Sequence, residues 1–343
     1  MPERILALSN ALSSIAKQKA HEIQNVTKRT HMLALNAQIE AVRAGHHGAG
    51  FSIVAQEVKS VSQEVSEIVD DLMKRLDERT VALNDLGQKL VASVRGKRLT
   101  DLALNMIDII DRNLYERSCD VRWWATDSAV VECATTGRTE DADFCSQRLA
   151  VILNSYTVYL DIWVADKEGK VLSNGRKSAY PKVQKSSVAY DSWFKEALRT
   201  TSGEEFVVAD ISQQGLLADK KVAVYAAAIR QNAKTDGEII GVLGIFFDWE
   251  AQSQTVVNSV RLEEEEKSRT RSLILDRRHQ VIAASDRQGI LSEIFPLDTS
   301  NGERGMYVDH DGRTIGYALT PGYETYAGLG WYGVIVQSKD PKN

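Results

Sequence analysis

LALNAQIEAVRAGHHGAGFSIVAQEV, residues 33–58, holds two helical apolar patterns parted by a patch of Gly, Ala and His. Gly45, Gly48 and Gly50 fall close together there, and glycine ordinarily ends a helix. The pattern nonetheless resumes beyond them, and Asn36, Glu40 and Arg43 stand where a plain helix would take Leu or Ala. Upstream, apolar positions recur in steps of three and four: Ile5, Leu8, Leu12 and Ile15, then, past a weak turn at Lys19, Ile23, Val26, Thr30, Leu33 and Ala37. Downstream the seam returns as Val58, Val61, Val65, Ile68, Leu72 and Leu76, then Leu83, Leu86, Leu90 and Val94. A seam of this spacing buries one stripe per helix and predicts coiled-coil packing. Two such helices around a short Gly-rich turn predict an antiparallel hairpin over residues 1–95, with its tip near 45–50. Each arm would reach roughly 60–70 Å at the helical rise per residue.

The rest of the 343-residue chain has room for one or two further domains. An apolar fraction of 43% suits a packed core, and a net charge of −5 argues against a nucleic-acid partner, which needs a basic face. Cys119, Cys133 and Cys145 have no CxxC spacing and read as free thiols of a reducing compartment. No apolar run approaches the ~20 residues that span a bilayer. The opening MPERILALSNALSS has no signal-peptide core. The expectation is a cytoplasmic protein without membrane insertion.

Residues 96–150 read as connecting helices, broken at Thr136-Gly137. From about Tyr156 the period changes to the alternation of strands. YTVYLDIWVAD and VLSNG read as two strands, AYDSWFKEALRTTSG as a short helix, and EEFVVADIS, KKVAVYAAAIR and EIIGVLGIFFDWE as three more strands. AQSQTVVNSVRLEEEEK reads as a charged helical connector. A shorter version of the pattern follows: RSLILDRRHQVIAAS as strand, turn, strand, then RTIGYALTP and LGWYGVIVQ as strands. The fold class is therefore α+β: a helical hairpin, then two PAS-like antiparallel sheet modules over 151–260 and 261–343.

LALNAQIEAVRAGHHGAGFSIVAQEVKSV resembles the hairpin tip of methyl-accepting chemotaxis receptors. The resemblance implies an interaction region that binds a chemotaxis histidine kinase and a coupling protein, and that gathers receptor dimers. It carries Leu33, Leu35, Asn36, Ile39, Glu40 and Arg43 onto the receptor-to-receptor face, and Ile53, Val54 and Val58 onto the part of the return arm associated with coupling. Glu40 and Arg43, at i and i+3, can pair within a helix or between helices. Lys28, His46-His47 and Ala49 depart from the family pattern. The adjacent histidines read as an exposed turn, since a metal needs converging ligands. No metal or cofactor is expected.

The region 96–340 resembles a double Cache sensor domain, which implies a small-molecule pocket in the first module. In the amine- and amino-acid-binding members, an Arg two positions before a Trp-aromatic pair holds the ligand carboxylate, and acids on later strands hold the ammonium. Here Trp193-Phe194 matches the pair, Asp191 stands at the Arg position beside Tyr190, and Asp210 and Asp248 match the acids. An aromatic wall with carboxylates suits a cationic amine. The plain alternative makes Trp193 and Phe194 core, and Asp191 a helix cap. Tyr159, Asp161 and Trp163 alternate along the first strand, so they are expected to face one cavity. Tyr225 joins them on strand spacing.

Enzyme motifs are absent: no GxSxG, HExxH, P-loop or Rossmann glycines. Two functions follow. One is a chemoreceptor that binds a small molecule in its Cache part and regulates a kinase through the tip, as a homodimer able to form higher assemblies. The other is a ligand-binding scaffold that uses the hairpin only to oligomerise. The arms look short for a methylation segment, Gln63, Glu64 and Glu67 read as solvated surface, and QSKDPKN carries no aromatic tethering tail. Methylation is therefore not expected.

Overall fold

A computed structural model describes residues 2–339, with side chains from residue 7. The Ile5 side chain and the end of QSKDPKN lie outside the described residues. The chain divides into two compact units, Met1–Arg95 and Gly96–Asn343.

The first unit is a helical hairpin. Helix α1 spans Pro2–Arg43, a short 3₁₀ turn spans Gly45–Gly48, and helix α2 begins at Ala49 and runs on to Trp124. Cross-arm pairs step evenly about the turn: Ser13 with Thr80, Lys17 with Asp77, Gln24 with Asp70, and Gln38 with Gln56. The arms meet along a seven-residue repeat of mostly small side chains. Ser13, Ala20, Thr27, Ala34 and Ala41 are buried on α1, and Ala55, Ser62 and Val69 on α2. This corrects the expected seam. Leu8, Leu12, Ile15, Ile23, Val26 and Leu33 point outward, as do Val58, Val61, Ile68 and Leu72. Small residues let two helix backbones approach closely, whereas large ones need a wider interface with more helices.

The second unit opens with the last part of α2, then α3 (Ser128–Thr136) and α4 (Thr139–Ser155). Asp127 caps α3 by accepting from the Ala129 N–H, and Gly137 ends it in the left-handed conformation. The first sheet comprises β1 (Tyr159–Asp166), β2 (Val171–Asn174), β3 (Val207–Gln214), β4 (Lys220–Arg230) and β5 (Ile239–Asp248), with α5 (Ser192–Ala197) between β2 and β3. The chain continues through α6 (Trp249–Asn258) and α7 (Glu264–Lys267), so the connector is two helices rather than one.

The second sheet comprises β6 (Thr270–Leu275), β7 (Val281–Ala284), β8 (Arg304–Val308), β9 (Thr314–Leu319) and β10 (Tyr332–Gln337). Strand β8 was not expected: RGMYV is a short edge strand with no apolar alternation. The orders are β2-β1-β5-β4-β3 and β7-β6-β10-β9-β8, one topology used twice and antiparallel throughout.

One continuous core joins the two sheets. Leu99, Ala103, Ile107, Ile110, Leu114 and Val121 of α2 pack into it with Ile229 and Ile245 of the first sheet and Ile274 and Ile335 of the second. Gly316 and Gly333 allow this contact, because a Cβ at either would lie 2.5 Å from the α2 backbone. Arg98 ties the same helix to α7 through two bonds to Glu266, which hold that carboxyl down to about 2. The opposite face of each sheet carries its own apolar cluster. That of the first holds Trp163, Trp193, Phe194, Leu217 and Phe246, and that of the second Leu273, Phe295 and Tyr317.

Candidate functional site

At the hairpin tip, two of the three glycines are required by geometry. Gly45 sits at φ +59°, and a Cβ on Gly48 would lie 2.0 Å from the Ala41 carbonyl oxygen. Gly50 is helical, with nothing within 4 Å of its Cβ position. Around this turn Leu33, Asn36, Ile39, Glu40, Arg43, Ile53, Val54 and Val58 are exposed, and Leu35 is half-buried. Arg43 donates to Glu40 at 2.7 Å within α1. His46 and His47 are exposed in the turn.

The sensor-module residues separate onto different surfaces. Asp161 and Trp163 lie on the outer face of the first sheet, opposite Phe246 and Gly244 of β5. Tyr159 lies on the other face, packed in the α2-facing core against Trp124 and Phe247. The cause is a bulge. Tyr159 pairs with Phe247 and Asp161 with Phe246, so β1 carries one extra residue, Leu160, and the alternation inverts there. Tyr225, opposite Ile245, also faces the α2 side and is fully buried. The structure therefore does not bring Tyr159 and Tyr225 together with Asp161 and Trp163.

Asp161 is wholly buried, and its carboxylate is saturated by its own chain. Oδ1 accepts from the N–H groups of Ile162 and Arg176 at 2.9 Å each, and Oδ2 from Asn174 Nδ2 at 2.8 Å and Trp163 Nε1 at 3.0 Å. Burial raises its pKa, and the four bonds work against that rise. Trp193 and Phe194 are core residues on the outer face, Trp193 edge-on to Phe246 at 5.9 Å. Asp191 occupies the N-cap position of α5 yet makes no capping bond. It is half-buried, and burial raises its pKa. Tyr190 is 89% exposed, with Lys195 Nζ 5.4 Å from its ring.

Asp210 is exposed and pairs with Arg277 of the β6–β7 turn at 3.4 Å. Asp248 caps α6 by accepting from the Ala251 N–H at 3.3 Å, and it lines a shallow cleft of about 380 Å³ with Lys220, Glu250, Gln254 and Arg287. A second cleft, of about 580 Å³, lies where β6 begins and β10 ends and carries Lys267, Arg269, Arg271 and Arg313. Most of that charge is already balanced: Arg271 meets Asp286 and Glu293, Arg313 meets Asp309 and Asp311, and Lys267 meets Glu264.

The α2-facing core holds a polar cluster that the sequence reading missed. Arg117 lies 3.3 Å from Asp120, which accepts from the Tyr159 hydroxyl, and its guanidinium sits 5.1 Å from the Tyr159 ring centroid. Burial raises both the Asp120 and the Tyr159 pKa. One turn pair back along α2, Asp111 is fully buried against the loop between β9 and β10. The available signal was spacing: Asp111 and Arg117 fall at steps of three and four from the buried Ile107, Leu114 and Val121, and Asp120 follows Arg117 by three.

Residues 5–111 match the family model for the methyl-accepting chemotaxis protein (MCP) signalling domain. The methyl-accepting chemotaxis protein PctB of Pseudomonas aeruginosa is 28% identical over 139 residues, covering 40% of this chain and 19% of its own length. McpQ of Pseudomonas putida is 38% identical over 86 residues, covering 24% of this chain and 13% of its own length. Transducer protein Htr18 of Halobacterium salinarum is 36% identical over 93 residues, covering 26% and 11%. The chain thus spans no more than 19% of the length of these relatives.

Among solved structures, the sensor domain of the V. cholerae histidine kinase DctB superposes with a TM-score of 0.53 at 11% identity, covering 74% of this chain and 98% of that one. The ligand-binding domain of the Pseudomonas aeruginosa amino-acid chemoreceptor PctC, solved with GABA, gives 0.51 at 14% identity, covering 71% and 99%. These likenesses show the fold alone: two modules arranged as in those sensor domains. Both resemblances drawn from the sequence are borne out: the signalling-domain match over residues 5–111 and the two-module fold of the remainder. No helix among the described residues is long and apolar enough to cross a membrane.

Proposed function

We propose that the chain is a ligand-sensing chemoreceptor, in which the two-module sensor binds a small molecule and the hairpin tip engages a chemotaxis kinase and its coupling protein. The observation that carries this reading is the pairing, in one chain, of a signalling-domain match over residues 5–111 with a sensor fold. The exposure of the tip residues supports it further, because a partner needs them free. Homodimer formation through the outward apolar stripe belongs to the same reading.

The ligand proposed is a cationic amine, taken between the outer face of the first sheet and the segment around α5. Of the acids first considered, Asp161 has no free acceptor, Asp210 is paired, and Asp248 serves α6. Asp191 is left, half-buried beside Trp193 and without a capping bond. A carboxylate against an aromatic wall is the chemistry that holds an ammonium. The PctC domain was solved with GABA, which carries such a group.

Two measurements test the reading. The chain should co-sediment with a chemotaxis kinase and coupling protein, and the double variant Glu40→Ala, Arg43→Ala should lose that binding. Failure of the unaltered chain to bind would favour the scaffold reading. In a thermal-shift screen, small amines should raise Tm, and Asp191→Asn should abolish the response. A shift with carboxylates alone would overturn the amine assignment.

A further inference from the structure

Asp111 is 0% exposed on α2, and its two oxygens are treated unequally. Oδ2 accepts from the Gly322 N–H at 2.7 Å, while Oδ1 has no partner among the described residues. The donor belongs to the loop Thr320–Trp331, between β9 and β10. That loop closes on itself: Thr320 N–H donates to the Trp331 carbonyl at 2.8 Å, and Trp331 N–H to Thr320 Oγ1 at 3.2 Å. It lies on α2 through Tyr323, edge-on to Tyr115 at 5.4 Å and 4.9 Å from the Arg112 guanidinium. It meets the first sheet through Tyr326, whose hydroxyl is 3.4 Å from that of Tyr225.

The loop has reasons to open. Glu324, a non-glycine residue, is held at φ +52°, a conformation that costs of order 1 kcal/mol. The Trp331 indole N–H is buried without a partner among the described residues. Among the described residues no cation offsets the Asp111 charge. On α2, Asp108 opposes it, and Arg112 donates to Asp108 at 2.9 Å. Arg117, further along, is engaged by Asp120 and Glu116. The loop presents Tyr323, Glu324 and Tyr326, and the first sheet presents Tyr225.

We propose that Asp111 and the loop 320–331 form a proton-dependent latch, shut on α2 when the carboxyl is protonated and loosened when it is ionised. A buried carboxylate with one bonded oxygen is costly, and opening the loop brings water to the bare one. Burial raises the carboxyl from 3.8 to about 6 in the closed form, against the Gly322 bond, with Asp108 adding to the rise. Because the closed form holds its proton more tightly than the solvated open form, closure is fully favoured below about 4 and weakens as pH rises through about 6. The opening constant should rise about tenfold between roughly pH 5 and pH 8. This inference concerns the sensor unit and does not depend on the receptor reading.

Hydrogen exchange of the full chain, expressed as protection factors so that the intrinsic pH dependence cancels, tests it. Protection in 320–331 should fall about tenfold between roughly pH 5 and pH 8 relative to β10. In Asp111→Asn, which keeps the shape without the charge, protection should be the same at both. A pH-independent loop in the unaltered chain, or an unchanged pH response in the variant, overturns the latch. If the variant fails to fold, the carboxyl carbon resonance of Asp111 in the unaltered chain decides: a midpoint near 6 supports the latch, and one near 4 overturns it.

Discussion

The Asp161 carboxylate accepts four hydrogen bonds from its own chain, so its removal strands four buried donors: two backbone N–H groups, Asn174 Nδ2 and Trp163 Nε1. An unsatisfied buried donor costs about 1–3 kcal/mol, and partial relaxation reduces the sum. Asp161→Ala should therefore destabilise the sensor unit by at least ~3 kcal/mol, visible in calorimetry as a fall of roughly 6–12 °C in its transition. Asp191→Asn breaks no such set and should leave that transition almost unmoved while removing the amine response. The reverse pattern, a stable Asp161→Ala that no longer senses amines, would exchange the roles given to these two residues. The two aspartates looked alike in the sequence because residue type and alternation were all it offered. Trp193-Phe194 was recognisable as an aromatic pair. The position of Tyr159 was not, because it turns on the single extra residue at Leu160. A bulge leaves no mark on strand periodicity when both faces are apolar, as they are here.

At the scale of the element, the tip explains why a helical pattern runs into glycines. Gly48 is fixed by contact with the Ala41 carbonyl, and Gly45 by its positive φ, whereas Gly50 sits in ordinary helix with open space around it. Gly48→Ala should thus distort the turn and abolish co-sedimentation with the kinase and coupling protein, with the melting of the sensor unit unchanged. Gly50→Ala should stabilise the hairpin by up to about 1 kcal/mol, the ordinary difference in helix propensity. If Gly50→Ala also blocks co-sedimentation while the hairpin melts higher, a partner backbone approaches at that position. A Gly48→Ala chain that still binds fully would show that the turn tolerates rearrangement. The hairpin and nine of the strands were legible because long apolar periodicity survives whatever packs against it. Strand β8 was not, since an edge strand with one half-exposed face needs no alternation. The split of the connector at 259–263 was also hidden: the charged run SVRLEEEEK looks helical, but the structure restarts the helix at a capping box on Glu263 and Glu266.

Considered as a whole molecule, the chain carries most of its exposed large apolar side chains on the hairpin. The second unit buries most of its large side chains and leaves only scattered ones outside, among them Trp123, Tyr190 and Ile294. The hairpin buries Ala, Ser and Thr between its arms and leaves Leu12 and Leu33, each about 70% exposed, on the outside with Ile15, Val26, Ile68 and Leu72. Two helices joined by a small-residue seam bury too little apolar area to account for such a stripe, and soluble monomers rarely leave one uncovered. A second copy supplies matching stripes, and the heptad spacing of both arms suits a four-helix bundle. Sedimentation velocity should therefore find a species of twice 38.1 kDa. The pair Leu12→Ser and Leu72→Ser should shift it to monomer without loss of helicity, because neither side chain lies in the seam between the arms. The opposite pair, Ala20→Leu and Ala55→Leu, should splay the hairpin itself and lower the helical signal, since overpacking a close seam costs about 1–3 kcal/mol per site. A monomer at every concentration would mean that the stripe is covered by some other protein. A dimer that survives both serines would move the interface off the hairpin and onto the sensor unit, where Trp123, 71% exposed at the end of α2, would be the next side chain to change.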